Sequence, residues 1–312
     1  MRNLLAFAAC GALALGATAC GSDEDSDSGG GGGGDLSGKI RIDGSSTVAP
    51  FAQAAAEEFQ AQNPSVKITV GTSGTGGGFE KFCAGETDIS DASRPIKDDE
   101  EVPICEKNKV TYKEVQVADD GIAVVTNPEL KVDCLTVEQL KELWNEGSKV
   151  TKLSQIDPKL PDTELSLFGP GTDSGTFDFF TDEINGEEGV SRKDYQPSED
   201  DNVLVQGVEG ESGGLGYFGF SYYEQNQDKL NLVGVDGGSG CVKPAAKAIQ
   251  SGEYKPLSRP LFMYPSEKAL KRPEVKAFMD YVVENYQPIA EASQIVPMNQ
   301  SQADGAKTAL GG

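Results

Sequence analysis

Three segments of this chain repeat one order of structure. In each, a short strand is followed by a loop of glycine, serine and threonine, and the loop is followed by a helix. The loops are GSSTV (Gly44–Val48), GTSGTGGG (Gly71–Gly78) and GTDSGT (Gly171–Thr176). Strands that alternate with helices in this way predict an α/β fold.

The alternation extends through most of the chain. Strands are predicted at 39–42, 66–70, 88–91, 115–119, 122–126, 165–168, 215–220 and 261–264. Helices are predicted at 50–62, 79–83, 135–144, 177–184 and 273–286, with shorter helical segments after 220 and around 289. No internal repeat of fixed period is present, and a length of 312 residues favours two domains over one.

The three loops have the chemistry of an anion site. The N-terminus of a helix presents unpaired N–H groups and the positive end of the helix dipole. Glycine lets the backbone approach an anion closely, and serine and threonine add hydroxyl donors. A single loop of this kind is also an ordinary helix N-cap. Three of them in one chain favour a shared oxyanion ligand, with three unrelated caps as the alternative.

Composition excludes several classes of function. The 27 Lys and Arg residues are outnumbered by 50 Asp and Glu, giving a formal net charge of −23, which argues against nucleic-acid binding. The chain contains no histidine, so catalytic triads and imidazole metal sites are excluded. A GxSxG pattern at Gly210–Gly214 therefore predicts a flexible loop rather than a nucleophile elbow. We predict that the protein is not an enzyme and needs no cofactor or metal.

The N-terminus predicts export. Arg2 precedes an apolar stretch from Leu4 to Ala19, typical of a signal peptide covering residues 1–19. The stretch ends at Cys20 in a sequence that resembles the bacterial lipobox, with Ala17 in place of the usual leucine. We predict a lipid on Cys20, with ordinary cleavage as the alternative. Residues 20–36 are acidic and glycine-rich, and form a flexible tether.

Four longer segments carry a resemblance to a known family: GSSTVAPF, GTSGTGGGFEKFCAGETDISDASRPI, FGPGTDSGTFDFF and GGLGYFGFSYY. They resemble the phosphate-binding component of bacterial phosphate ABC transporters, from about Lys39 to the C-terminal helices. The resemblance implies a two-lobed periplasmic-binding-protein fold (type II). In it each lobe is a mixed sheet flanked by helices, and the ligand lies in the cleft. We expect lobe 1 to be 37–121 plus 259–312, and lobe 2 to be 122–258, joined by crossover strands near 120–126 and 259–264.

The resemblance also implies ligand residues. They are Ser46, Thr47 and Val48 in the first loop, Ser73 or Thr75 in the second, Asp91, and Ser174, Gly175 and Thr176 in the third. Several family members carry an arginine four residues before the serine of the third loop, where this chain has Pro170. Arg94 is the predicted substitute, with a salt bridge to Asp91 or Asp88 as the alternative.

Asp91 predicts the choice of ligand. An ionised carboxylate only accepts hydrogen bonds, and phosphate near neutral pH carries a proton to donate, whereas sulfate does not. We therefore expect phosphate to be preferred, with another tetrahedral oxyanion such as sulfate or molybdate, or a role as a phosphate sensor, as alternatives. The expected partners are phosphate, the ABC permease subunits and the membrane, through the N-terminal lipid. The protein is expected to be an extracytoplasmic monomer.

Four cysteines remain if Cys10 leaves with the signal peptide and Cys20 is modified. They are Cys83, Cys105, Cys134 and Cys241, which allow three pairings. An exported chain keeps disulfides. We favour Cys83–Cys105 and Cys134–Cys241, because each pair then lies within one of the lobes that the resemblance implies and leaves hinge motion free.

Overall fold

The computed structural model describes residues 36–311, which belong to one compact unit, Asp35–Gly312. The predicted signal peptide, the lipidation of Cys20 and the tether before Leu36 lie outside the described residues. Within the part of the chain that is described, no helix combines the length and the apolar composition needed to cross a membrane.

Strands and helices alternate along the chain. The strands are β1 (Gly38–Gly44), β2 (Val66–Thr72), β3 (Ile89–Ala92), β4 (Val115–Thr126), β5 (Cys134–Thr136), β6 (Ser166–Pro170), β7 (Gln196–Ser198), β8 (Gly214–Gly219), β9 (Asn231–Asp236), β10 (Cys241–Val242) and β11 (Ser258–Pro265). The helices are α1 (Ala49–Gln62), α2 (Gly74–Cys83), α3 (Val102–Lys107), α4 (Val137–Trp144), α5 (Gly175–Phe180), α6 (Asp201–Gly210), α7 (Phe220–Glu224), α8 (Ala246–Gln250), α9 (Pro273–Glu284), α10 (Tyr286–Ala292) and α11 (Gln300–Leu310).

The first half of the molecule is built on a mixed sheet in the order β2-β1-β3-β11-β4. Strands β1, β2 and β3 are parallel, whereas β11 runs antiparallel to both β3 and β4. Its core joins alternating sheet residues such as Ile40 and Ile42 to the apolar faces of α1, α9 and α11. This half includes the C-terminal helices, so it is discontinuous in sequence.

The second half contains a mixed sheet in which β4 pairs with β8 and β9, β8 with β6, and β6 with β7. Its core is drawn almost entirely from residues 122–257 and contains Trp144, Tyr217 and Phe180, whose rings pack edge-on or stacked. The mixed α/β architecture with two main cores is the predicted fold class. The lobe boundaries at 121/122 and 258/259 stay a prediction, which this division of the cores supports.

Strand β4 belongs to both halves. Its residues from Val115 to Gly121 pair with β11, and those from Ile122 to Thr126 pair with β8. We predicted two separate strands here, at 115–119 and 122–126, with Asp120 and Gly121 between them. The strand continues because neighbours on both sides supply ladder partners, which outweigh the low β-propensity of these residues.

Two further differences concern glycines. Helix α2 begins at Gly74 rather than near Phe79, and its first turns pass so close to β1 that a Cβ on Gly78 would lie 2.5 Å from the Cα of Gly44. The segment Gly210–Gly214, predicted as a flexible loop, is a tight turn from α6 to β8. A side chain at Gly213 would overlap the carbonyl oxygen of Glu164.

The disulfides form the pairing that the sequence analysis favoured. Cys83 at the end of α2 is bonded to Cys105 of α3, and Cys134 of β5 is bonded to Cys241 of β10. Each bond closes a loop within one half of the molecule.

Candidate anion-binding cleft

The three glycine–serine–threonine loops follow the carboxyl ends of parallel strands. The first loop joins β1 to α1, the second joins β2 to α2, and the third joins β6 to α5. Ligands of open α/β sheets bind outside these strand ends. The three loops line a single cleft of about 600 Å³, to which they contribute Ser45, Ser46, Thr47, Ser73, Gly74, Thr75, Gly76, Gly77 and Gly175.

The first and third loops touch across the cleft. A Cβ at Gly175 would overlap the Oγ1 of Thr47 and would lie 2.9 Å from both the Oγ of Ser46 and the backbone nitrogen of Thr47. Glycine is therefore required at this position for the two halves to approach as closely as they do. The contact brings the predicted residues Ser46, Thr47 and Gly175 together.

Backbone donors are available beside this contact. Among residues 36–311, the amides of Ser46, Thr47 and Val48 have no protein acceptor, and they precede the first turn of α1. Helix α2 likewise presents its first amides to the cleft, from Gly74 onward. These N–H groups and the two helix dipoles favour an anion between them.

Asp91 lies at the end of β3, directly beneath the first loop. Its backbone accepts a hydrogen bond from the amide of Ser45 at 2.9 Å, and it pairs in register with Gly44. The side chain is fully buried, and within the described part of the chain neither carboxylate oxygen has a hydrogen-bond partner. Burial, with a smaller effect of the Asp43 carboxylate, raises the pKa of Asp91 well above its usual value. An orphaned buried carboxylate of this kind calls for a donor from outside the chain.

The other predicted residues of the third loop lie at the N-terminus of α5. The Oγ of Ser174 is the helix N-cap and accepts from the amide of Thr176 at 3.2 Å. Ser174, Thr176, Val48 and Asp91 lie next to residues that line the cleft, but they are not among its lining residues.

The two predicted hydroxyls of the second loop, those of Ser73 and Thr75, already have protein partners. Ser73 donates to the carboxylate of Asp43, which also accepts from the ammonium of Lys81 at 2.8 Å. Burial opposes ionisation of Asp43, but the bonds from Lys81 and Ser73 outweigh it and lower the pKa. The Oγ1 of Thr75 lies 3.0 Å from the Oγ of Ser93, a cleft residue that the sequence analysis did not single out.

Arg94 lines the cleft, but its guanidinium is engaged elsewhere. It donates two hydrogen bonds to Glu101, at 2.7 and 3.0 Å, rather than pairing with Asp91 or Asp88. The bonds that Arg94 donates to Glu101, against an opposing effect of burial, raise the pKa of Arg94. Its part in ligand binding stays a prediction.

A second arginine, Arg259, is more central, and sequence reasoning missed it. It is the second residue of β11, and its Nε bonds to Asp120 of β4 at 3.2 Å. Its Nη2 donates to the Oγ1 of Thr47 at 2.8 Å and to the carbonyl of Gly175 at 3.3 Å. The side chain is only 15% exposed. Burial lowers its pKa, and the carboxylate of Asp120 opposes that shift.

Acidic side chains occupy the second-half wall of the same cleft, namely Asp178, Asp182, Glu183 and Glu188. Burial and the neighbouring Glu188 raise the pKa of Asp178 to about 6, and Arg259 only partly offsets them. The cleft is therefore not uniformly basic. The free amides and the guanidinium of Arg259 that favour an anion lie together where the first and third loops meet.

Two α/β halves that share a strand, with helix-start loops from both halves around one cleft, define a two-lobed solute-binding protein. The profile of the PBP superfamily domain matches residues 29–285. The phosphate-binding protein PstS of Staphylococcus saprophyticus is 42% identical over 264 residues, which cover 84% of this chain and 81% of that protein. The protein SphX of Synechococcus elongatus is 44% identical over 262 residues, covering 83% and 77%.

A solved structure gives the same picture. The crystal structure of a possible phosphate-binding protein from Planctomyces limnophilus is 46% identical and superposes with a TM-score of 0.83, covering 88% of this chain and 98% of that one. The chain therefore belongs to the PBP superfamily and, within it, to the PstS family.

Proposed function

We propose that the protein binds inorganic phosphate outside the cytoplasm and delivers it to an ABC importer. The observation that carries the proposal is Asp91, a buried carboxylate beneath a loop of free amides, whose two oxygens have no hydrogen-bond partner among residues 36–311. The names of the similar PstS proteins and of the Planctomyces structure support phosphate over other oxyanions.

The proposed ligand set combines donors with one acceptor. The amides of residues 46–48, the hydroxyls of Ser46 and Thr47, the hydroxyl of Thr75 and the Ser174–Thr176 segment donate to the phosphate oxygens, and Arg259 supplies a guanidinium. The hydroxyl of Ser73 donates to Asp43 instead. Each hydrogen bond to a charged group contributes roughly 1.5–3 kcal/mol. Asp91 accepts a hydrogen bond from the hydroxyl that phosphate keeps near neutral pH. Sulfate brings no such proton, so it sets two buried negative charges together at a cost of several kcal/mol.

Closure of two lobes is the second part of the proposal. Thr47 and Gly175 come from opposite halves, so a ligand that bonds to both stabilises the closed form through its higher affinity for that form. We propose lobe 1 as 37–121 plus 259–312 and lobe 2 as 122–258, since the two main apolar cores divide near these positions. The closed form is the one that the permease subunits recognise.

The cellular setting of the proposal rests on the sequence. Residues 1–19 act as the signal peptide, Cys20 carries the lipid, and the glycine-rich tether holds a monomeric binding protein at the membrane surface. The protein performs no chemistry on the phosphate. It captures and releases it unchanged.

Isothermal titration of ligand-free protein with phosphate, arsenate and sulfate tests the proposal. We expect tight binding of phosphate, and sulfate weaker by at least about a hundredfold, on the scale of an unpaired buried charge. Asp91→Asn should lose most of the phosphate affinity and most of the discrimination. The control is Asp228→Asn, an exposed carboxylate outside the cleft, which should bind as wild type does.

Two results would contradict the proposal. The first is the absence of binding heat when phosphate is added to protein shown to be ligand-free. The second is equal affinity for sulfate and phosphate in the wild type, which would indicate a general oxyanion-binding protein.

A further inference from the structure

The guanidinium of Arg259 is held along its edges by two residues of the first half of the molecule and by the carbonyl of Gly175 from the second half. Asp120 accepts from its Nε, and Thr47 accepts from its Nη2. These contacts fix the plane of the group, because a guanidinium presents its donors in one rigid fork. Its two faces, by contrast, can be covered only by packing.

One face is covered by a ring from the second half. The guanidinium carbon of Arg259 lies 3.8 Å from the ring centroid of Phe179 on α5. Phe179 is only 5% exposed. On the same helix, the carbonyl of Gly175 accepts a hydrogen bond from the same arginine. Stacking of a cation on an aromatic face is most favourable where water is excluded, as it is here.

We propose that Phe179 is a positioning residue that couples closure of the cleft to retention of phosphate, by stacking on Arg259 only when the two halves are together. This inference rests on the proposed function. Phe179 lines the cleft beside Arg259, and its proposed role acts through the guanidinium. It holds the guanidinium plane in the orientation that phosphate needs, and it adds a contact between the halves that opening must break.

Loss of the stacked pair should change the rate of phosphate release and leave the rate of phosphate capture unchanged. The stacked pair forms as the cleft closes, so its loss accelerates opening and hence release. Diffusion of phosphate into the open cleft does not involve the pair, so the association rate should not change. A residue that merely filled core volume would not produce this separation, and it would not depend on the chemistry of residue 259.

The experiment measures dissociation of radiolabelled phosphate during a chase with excess unlabelled phosphate, together with the association rate. Phe179→Leu keeps most of the apolar volume but removes the aromatic face. We expect release about tenfold faster and association unchanged within about twofold, as a cation–π contact in a desolvated site predicts. Phe179→Tyr keeps the face and should restore slow release.

Two further variants complete the test. Phe177→Leu makes the same change on the same helix, at a buried ring that faces a different cavity, and should leave the release rate unchanged. Arg259→Lys removes the planar partner. In that background, Phe179→Leu should accelerate release by less than about twofold, since the stacked pair is already lost. If Phe179→Leu folds poorly, Phe179→Met serves in the same cycle.

The inference is overturned if Phe179→Leu releases phosphate at the wild-type rate, or if its effect is the same with lysine at position 259. Failure of the wild-type protein to bind phosphate at all is a separate result, which contradicts the proposed function itself.

Discussion

At the scale of single residues, Asp91 favours phosphate binding but lowers the stability of the ligand-free fold. A buried carboxylate without a partner disfavours the folded state when it is ionised, because burial removes the water that solvates the charge. The backbone of Asp91 is nevertheless integrated in the sheet, through its pairing with Gly44 and the bond from Ser45. The strand therefore holds an unfavourable side chain at a fixed position, as expected for a group kept for its ligand.

This opposition predicts a pH dependence. The pKa of Asp91 is raised by folding, so the native state binds more protons than the unfolded state from about pH 4 up to the folded pKa. The free energy of unfolding of ligand-free protein must then fall as pH rises through that window. Asp91→Asn removes this loss, and should be more stable than wild type by at least about 1 kcal/mol at pH 8, with a smaller difference at pH 4.

Denaturant unfolding of both proteins at pH 4, 6 and 8, without phosphate, measures the difference. A variant that is less stable than wild type at pH 8 would show that Asp91 already has a stabilising partner. Because the same variant should bind phosphate poorly, a gain in stability would accompany a loss of function.

The sequence predicted the residues of the three loops better than the arginines. The loops are short continuous motifs, so residues such as Ser46, Thr47 and Gly175 can be read directly. Arg259 depends on the antiparallel register of β11 and β4, a pairing across 139 positions that no local pattern encodes. Arg94 was predicted as the substitute for the family arginine that is missing at Pro170, with a salt bridge to Asp91 or Asp88 as the alternative. The competing partner, Glu101, comes from the segment leading into α3, an element that the sequence did not reveal.

At the scale of elements, regular strands and helices were predictable where one face is apolar, as in β1, β2, α1 and α9. Helix α11 was missed because its pattern is weak. It is defined instead by a capping box of Asn299 and Gln302 and by packing on β4. The early start of α2 was missed because glycines ordinarily weaken helices. Close packing on β1 outweighs that preference, since Gly78 has no room for a side chain.

The close contact between α5 and the first loop predicts that a methyl group added at Gly175 would weaken phosphate binding. Gly175→Ala would place a Cβ onto the Oγ1 of Thr47, so the two halves could not reach their present separation. Because Gly175 does not have the positive backbone φ that favours glycine, alanine should leave folding intact. We expect phosphate affinity to fall at least about thirtyfold, or about 2 kcal/mol, with little change in thermal stability.

Titration calorimetry and thermal unfolding of ligand-free Gly175→Ala check this expectation. Gly147→Ala is not a suitable control, because Gly147 has a positive φ. Gly76→Ala is better matched, since a Cβ there meets no atom within 4 Å although the residue also lines the cleft. Wild-type affinity in Gly175→Ala would show that the loops separate without loss of binding.

At the scale of the whole molecule, the net charge of −23 opposes the capture of an anion. The favourable interactions are therefore short-range ones from fixed donors where the loops and Arg259 meet. Surface charges are screened beyond about 8–10 Å at physiological salt, whereas buried contacts are screened much less. We expect the dissociation constant for phosphate to change less than about threefold when NaCl rises from about 50 to about 500 mM.

Calorimetric titrations at several salt concentrations test this, with sodium sulfate avoided because sulfate competes for oxyanion sites. Affinity that weakened tenfold or more over that range would indicate long-range attraction, and would contradict a site built on local donors.

The unbroken course of β4 through both halves has a mechanical consequence. This strand is hydrogen-bonded to β11 at one end and to β8 at the other, so it contains no loop that could act as a localised hinge. Any opening must be spread over several residues as elastic bending and twisting of the sheet, with a restoring force that grows with amplitude. Each cycle of capture and release then bends β4 slightly and reversibly. The extent of opening is limited by how far β4 can deform before its hydrogen bonds to the neighbouring strands break.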